Sequence, residues 1–259
     1  TRLMLDFSQK VKDCEFLFKD LVSKNEIALK TEFFVETLKD WSELDSIETI
    51  KEWFLIKQKE ISNQVTIEEI PINECKDWTS LENKIIHDSG GFYEIVGVRV
   101  GRTNQREVKH GWDQPFIKQV GFNGGILGLI RTKINNIPYY VCDAKFEPGN
   151  PDIVQISPTL QATFSNLQKI HGGSAPNFSE FFFPQADDDA VILFDQWFSE
   201  DGGRLYLKKN KGMVLSLPIE KIESKLSDRY KLLTLFQIKE LIKLNSWVSP
   251  HLRSLISWI

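Results

Sequence analysis

Residues 139–173 read YYVCDAKFEPGNPDIVQISPTLQATFSNLQKIHGG, and the alternation within this stretch decides the fold. Counted with a period of two, Tyr140, Cys142, Ala144 and Phe146 fall on one face of a strand, and Val141, Asp143, Lys145 and Glu147 on the other. Pro148, Gly149, Asn150 and Pro151 turn the chain. In the run that follows, Val154 and Ile156 alternate with Gln155 and Ser157. Pairing of the two strands would set Lys145 and Glu147 near Gln155 and Ser157, a constellation able to bind a polar ligand and move protons. A half-solvated antiparallel sheet with a polar outer face gives the same alternation, so spacing by itself leaves both readings open.

Working outward, GGILGLIRTKI (124–134) precedes Asn135-Asn136-Ile137-Pro138, and together with the charged strand predicts an antiparallel hairpin. Further upstream, VTIEEIPI (65–72), KIIHDSGGFYEIVGVRVG (84–101, divided at Gly90-Gly91) and REVKHGWDQPFIKQ (106–119) read as strands. Downstream, AVILFDQWFSEDGGRLYLKKNKGMVLSLP (190–218) reads as a second hairpin turning at Asp201-Gly202-Gly203. Helical signals occupy both ends. Leu3, Phe7 and Val11 recur at helical spacing, Leu44, Ile47, Ile50, Trp53 and Phe54 form a stripe, and Asp45 or Ser46 starts that helix. Asp228 is the expected cap for an amphipathic LLTLFQIKELIKL (232–244), and SPHLRSLISWI follows it. The expectation is an α+β layered fold with a mixed or antiparallel sheet, arranged as a helical extension over 1–63 and a main domain over 64–259. The aromatic side chains of the extension predict packing on the main domain or on a second subunit. Strict βαβ alternation is absent, which argues against a dinucleotide-binding parallel sheet.

Composition narrows the function. A 259-residue chain that is 41% hydrophobic can bury a substantial core. A formal net charge of -4 argues against nucleic-acid binding through a basic surface. Cys14, Cys75 and Cys142 are odd in number and far apart, which predicts a reducing compartment. With neither a signal-peptide pattern nor an apolar run of membrane-spanning length, the expected location is the cytoplasm, away from membrane.

The familiar catalytic signatures are missing: GxxxxGK[ST], GxGxxG opening a helix, HExxH and GxSxG do not occur. His87, His110, His171 and His251 are scattered, so no metal is expected. What remains is the dense, uncharged set of donors and acceptors between Lys145 and His171, suited to a sugar or nucleotide.

GWDQP (111–115), AKFEPGN (144–150), VQISPTLQATFSN (154–166), HGG (171–173) and EDGGRLYLKKNKGMVL (200–215) together resemble the NDP-hexose 2,3-dehydratases, which act on dTDP-4-keto-6-deoxyhexoses. The resemblance runs from about Trp41 to the last residue. It implies a Nudix-like sandwich without Nudix hydrolysis, and the Nudix box is indeed absent, with Arg106-Glu107-Val108 its only echo. Members of the family carry two tandem copies of the unit, whereas this sequence shows one. That implies a homodimer with the N-terminal helices in contact, or a single-copy branch with an altered substrate or reaction.

The implied elimination needs a base for the C3 proton, which the C4 carbonyl acidifies, an acid for the C2 hydroxyl, and a cation or donor at the enolate oxygen. No cofactor is required. Glu147 as base, Lys145 at the enolate and His171 as a proton or phosphate contact fill these roles. Resemblance and residue type further imply Arg99 and Arg204 on the diphosphate, Trp112 stacking on base or sugar, and Gln114, Gln155, Ser157, Gln161, Thr163 and Asn166 on hydroxyls. A non-catalytic sugar-nucleotide-binding module and a keto-sugar isomerase or epimerase are the competing classes.

Overall fold

Three N-terminal helices open the chain. The computed structural model describes residues 6–24, 26–102, 110–121, 124–167, 174–183 and 189–259. Helix α1 (Phe7–Cys14) starts where the Asp6 carboxylate accepts from Ser8 N, and α2 (Ile27–Glu36) follows. Helix α3 (Ile47–Ser62) starts at Ser46, whose hydroxyl accepts from Thr49 N, one of the two starts expected. The run 65–70, expected as a strand, has no regular structure. Its apolar residues Ile67 and Ile70 stand in solvent, so alternation without a neighbouring strand edge was not enough to order it.

Strands β1 (Trp78–Ser80), β2 (Lys84–His87), β3 (Tyr93–Val100) and β4 (Trp112–Gln119) form an antiparallel sheet in that order. The second sheet contains β5 (Gly125–Ile134), β6 (Ile137–Phe146), β7 (Val154–Ser157) and β8 (Leu160–Thr163). After a single turn of helix, α4 (Phe164–Leu167), it is completed by β9 (Val191–Ser199), β10 (Lys209–Ser216) and β11 (Tyr230–Leu233). Its order is β11-β6-β5-β10-β9. Among the described strands only the β10–β5 pair is parallel, so the sheet is mixed, as expected.

The β5–β6 hairpin turns on Asn135 and Asn136, both with positive φ of 50° and 63°. That is the requirement of the two-residue turn matching strand twist, which Asn meets at low steric cost. The hairpin pairs only from Arg131↔Tyr140 to Ile134↔Ile137 and then opens. Into the opening run β7, antiparallel to β6, and β8, antiparallel to β5. The Lys145↔Gln155 and Asp143↔Ser157 pairings follow. Thr159, between β7 and β8, accepts from Ile130 N at 2.9 Å and donates to Val141 O at 2.6 Å, stitching the parted strands.

The segment expected as one C-terminal amphipathic helix is divided. Tyr230–Leu233 is β11, paired to the edge of β6, and α5 (Leu235–Ile242) begins afterwards. Its cap is Thr234 in a reciprocal capping box with Gln237; Asp228, the expected cap, instead takes an ion pair from Lys57. Helix α6 (Pro250–Ile256) begins at Ser249.

The two faces of the mixed sheet carry separate cores, as the alternation required. Tyr140, Cys142, Ala144, Val154 and Ile156 pack with Ile50 and Phe54 of α3 and with α5 and α6. Val141, Ile126, Met213 and Leu215 pack on Phe178 and Phe182 across the other face. The stripe on α3 thus enters the largest core, while Phe7, Val35 and Trp41 pack beside Tyr139.

Candidate functional site

A cavity of about 340 Å³ opens where β6, β8, β10 and α6 meet the first sheet. Strand β6 supplies Lys145 and leads to Glu147, whose carboxylate is 3.2 Å from the Lys145 ammonium. The Gln161 amide of β8 donates to the same carboxylate at 3.4 Å. Thr163 and Asn166 continue this wall. Thr163 Oγ1 caps the turn into α4, accepting from Asn166 N at 3.3 Å.

Further lining comes from the β9–β10 connection and α6. Glu200 takes a hydrogen bond from Asn210 and lies 3.4 Å from His251 Nε2. Lys208 Nζ donates to the Tyr93 hydroxyl at 3.2 Å. The hydrogen bond with His251 holds the Glu200 carboxyl below the usual range; burial opposes this, and Lys208 and Asn210 reinforce it. Among the described residues the cavity is thus lined by two carboxylates, each beside a cationic or protonatable partner, together with amides and hydroxyls. Such a lining suits a polyhydroxylated ligand, and it offers two acid–base pairs in one cavity.

Backbone close approach shapes the floor. Gly124 sits at φ +125°, its N–H and C=O both held by the buried Gln119 side chain. A Cβ on Gly125 would lie 2.4 Å from the carbonyl of Ala162, which lines the cavity.

Of the residues expected from sequence, Lys145, Glu147, Gln161, Thr163 and Asn166 are brought together here. Gln155 and Ser157 are buried outside the lining, the former donating to Ser246 O at 2.7 Å. Arg99 and Asp113 form a bidentate, exposed pair at the far end of β3. At ~3.3 Å per residue this is roughly 20 Å along the strand from Tyr93. Arg204 pairs with Asp201 at 3.1 Å, also in solvent. Trp112 Nε1 donates to Gln114, which donates to Gly203 O and ties β4 to the β9–β10 connection. None of these last four lines the cavity. His171 and the Arg106-Glu107-Val108 echo lie outside the described residues.

Sequence reasoning did not assign Tyr93, Glu200, Lys208, Asn210 or His251 to the site. Three of them stand in EDGGRLYLKKNKGMVL, so the signal was present but read as a turn. Deeper on β6, Asp143 is ion-paired with Arg229; burial pushes its carboxyl up, and Arg229 only partly offsets this. A second cavity of about 360 Å³, lined by Phe164, Phe182, Trp197 and Met213, lies on the opposite face of β5 and β10 and is mainly apolar. Among the described residues no three His, Cys, Asp or Glu side chains gather as a metal-ligand set, and no helix is long and apolar enough to cross a membrane.

The profile described as NDP-hexose 2,3-dehydratase matches residues 47–259, most of the chain. The chain belongs to the NDP-hexose 2,3-dehydratase family. Among curated relatives, a protein of Amycolatopsis orientalis named dTDP-4-dehydro-6-deoxy-alpha-D-glucopyranose 2,3-dehydratase is 32% identical over 81% of this chain and 44% of its own length. A protein of the same name from Saccharopolyspora spinosa is 32% identical over 76% of this chain and 39% of its own. This member thus spans less than half the length of those relatives. A crystal structure of C. elegans Ap4A hydrolase overlaps 52% of this chain and 95% of its own at 14% identity, with a TM-score of 0.31. The family match takes in every residue of the cavity wall from Tyr93 to His251.

Proposed function

We propose that this chain eliminates water across C2–C3 of a nucleotide-linked, dTDP-borne 4-keto-6-deoxyhexose, giving a 3,4-diketo-2,6-dideoxy sugar. The observation carrying this reading is the Lys145–Glu147–Gln161 cluster at a polar cavity in a member of the dehydratase family. Glu147 takes the C3 proton. The ammonium of Lys145, already beside it, meets the enolate oxygen that forms at C4. Gln161, Thr163 and Asn166 hold hydroxyls of the sugar. Arg99 and Arg204, each paired with an aspartate in solvent, have no diphosphate role in this scheme, and Trp112 and Gln114 no ligand contact. Gln155 and Ser157 support β7 beneath the site.

This reading extends to a cytoplasmic enzyme working as a homodimer on a Nudix-like scaffold. The relatives are more than twice the length of the segment they share with this chain. Incubation with dTDP-4-keto-6-deoxyglucose in deuterated solvent tests the assignment. Loss of one water is expected from the native chain, and Glu147→Gln is expected to slow both C3 exchange and water loss by ~10²–10⁴-fold. Exchange without mass loss would instead mark an isomerase, and binding without either a recognition module. A single-species sedimentation profile at monomer mass would exclude the dimer.

A further inference from the structure

Elimination at adjacent carbons needs a proton donor for the departing hydroxyl as well as a base, and the Lys145–Glu147 wall supplies only the base and the enolate contact. We infer that His251 is the catalytic acid that protonates the C2 hydroxyl as it leaves, with Glu200 as its positioning residue. The inference rests on the dehydratase reading above and adds a residue that this reading leaves unassigned.

Three observations support it. His251 lines the same cavity as Glu147 and is carried by α6, whereas Glu147 follows β6. Its Nε2 is 3.4 Å from Glu200 Oε1, and Nδ1 has no hydrogen-bond partner among the described residues. One nitrogen thus lies against Glu200 and the other is left for substrate, the arrangement in which a carboxylate fixes the orientation of an imidazole. Glu200 is in turn fixed by Asn210 at the start of β10, and its carboxyl is held ionised chiefly by the His251 contact. Among the described residues, the other charged or titratable groups lining the cavity are Lys145, Glu147, Lys208 and Tyr93. Both lysines have oxygen partners there, Lys145 on Glu147 and Lys208 on Tyr93.

The step balances without a further reactant. Glu147 removes the proton from C3, and the electron pair becomes the enolate at C4. That pair returns to form the C2=C3 bond as C2–O breaks. The imidazolium of His251 gives its proton to the leaving oxygen, which departs as water. The resulting enol then takes a proton at C2 and loses its hydroxyl proton, giving the diketone, so the net change is loss of one water.

The test compares hydroxide departure with a leaving group that needs no proton. The native chain and His251→Gln are each given dTDP-4-keto-6-deoxyglucose and its 2-deoxy-2-fluoro analogue, with C3 exchange, water loss and fluoride release followed separately. For His251→Gln, water loss is expected to fall at least ~100-fold while C3 exchange and fluoride release stay within a few-fold of native. Glu200→Gln is expected to lower water loss less and again to spare fluoride release. Native thermal unfolding of each variant, and restoration of water loss in His251→Ala by added imidazole, separate loss of the acid from loss of the fold. Undiminished water loss by His251→Gln overturns the inference, as does an equal fall in all three rates in a folded variant. A native chain that neither exchanges nor eliminates overturns the dehydratase reading itself, and the inference with it.

Discussion

Thr159 shows how one side chain divides a polar run between structure and site. The segment Ser157–Asn166 has the same donor-rich character throughout, yet Ser157 and Thr159 are buried while Gln161, Thr163 and Asn166 reach the cavity. The division falls where Thr159 bridges Ile130 N and Val141 O. Valine at this position keeps the shape and removes the hydroxyl, leaving a buried N–H and a buried C=O without their partner. Thr159→Val is expected to cost about 2–4 kcal/mol of stability, read from urea unfolding, and a loss under ~0.5 kcal/mol would show that the parted hairpin does not depend on this bridge. Nothing local in SPTLQATFSN distinguishes its two halves, because the distinction depends on which neighbouring strand each residue meets.

Among elements, the hairpins were legible and the isolated runs were not. Asn135-Asn136 announced its own turn, and Asp201-Gly202-Gly203 does lie between β9 and β10, with Asp201 Oδ1 accepting from Gly203 N at 2.9 Å. VTIEEIPI and YKLL both carry apolar residues beside polar ones, but only YKLL found an edge, that of β6. Strand β3 is fixed by a different device. Glu94, buried on it, accepts from Lys84 of β2 at 2.9 Å and Lys118 of β4 at 2.8 Å, and these hydrogen bonds, Lys118 first, hold its carboxyl below the usual 4.5. A depressed carboxylate contributes stability that is present above its unfolded value and lost as pH falls through the folded one. Glu94→Gln is therefore expected to be less stable than native at neutral pH. The gap should close as the buffer is acidified below about 4.5; unfolding curves across that range would contradict the account if the gap stayed constant.

Across the whole molecule, the N-terminal helices are joined to the sheet through a buried ionic cluster. Arg131 of β5 bonds Glu36 of α2 at 2.7 Å and lies 3.1 Å from Glu32, while the Tyr140 hydroxyl donates to Glu36 at 2.8 Å. Burial pushes the Glu36 carboxyl up, and the Arg131 guanidinium pulls against it. Arg131→Met would leave Glu36 buried without its counter-charge, with an expected cost of about 3–5 kcal/mol. Arg131→Met with Glu36→Leu should recover most of that, and no recovery in denaturant midpoint would place the cost in packing. Together with Ile50 and Phe54 in the largest core, this cluster makes the helices part of the same folded body as the sheet.

The sequence by itself determined the alternation of β6 and β7, the hairpin turns, the start of α3 to within Asp45 or Ser46, and the family, because each is written in neighbouring residues or in a continuous pattern. It also singled out Lys145, Glu147, Gln161, Thr163 and Asn166, which lie on one stretch of chain. Only the tertiary structure decided that Tyr93, Glu200, Lys208 and His251 share their cavity and that Arg99 and Arg204 do not. Periodicity fixes which way a side chain points from its own strand or helix. Convergence across more than a hundred residues depends on strand order, here on β10 lying parallel to β5 and α6 closing over the open hairpin, and no local spacing encodes that order.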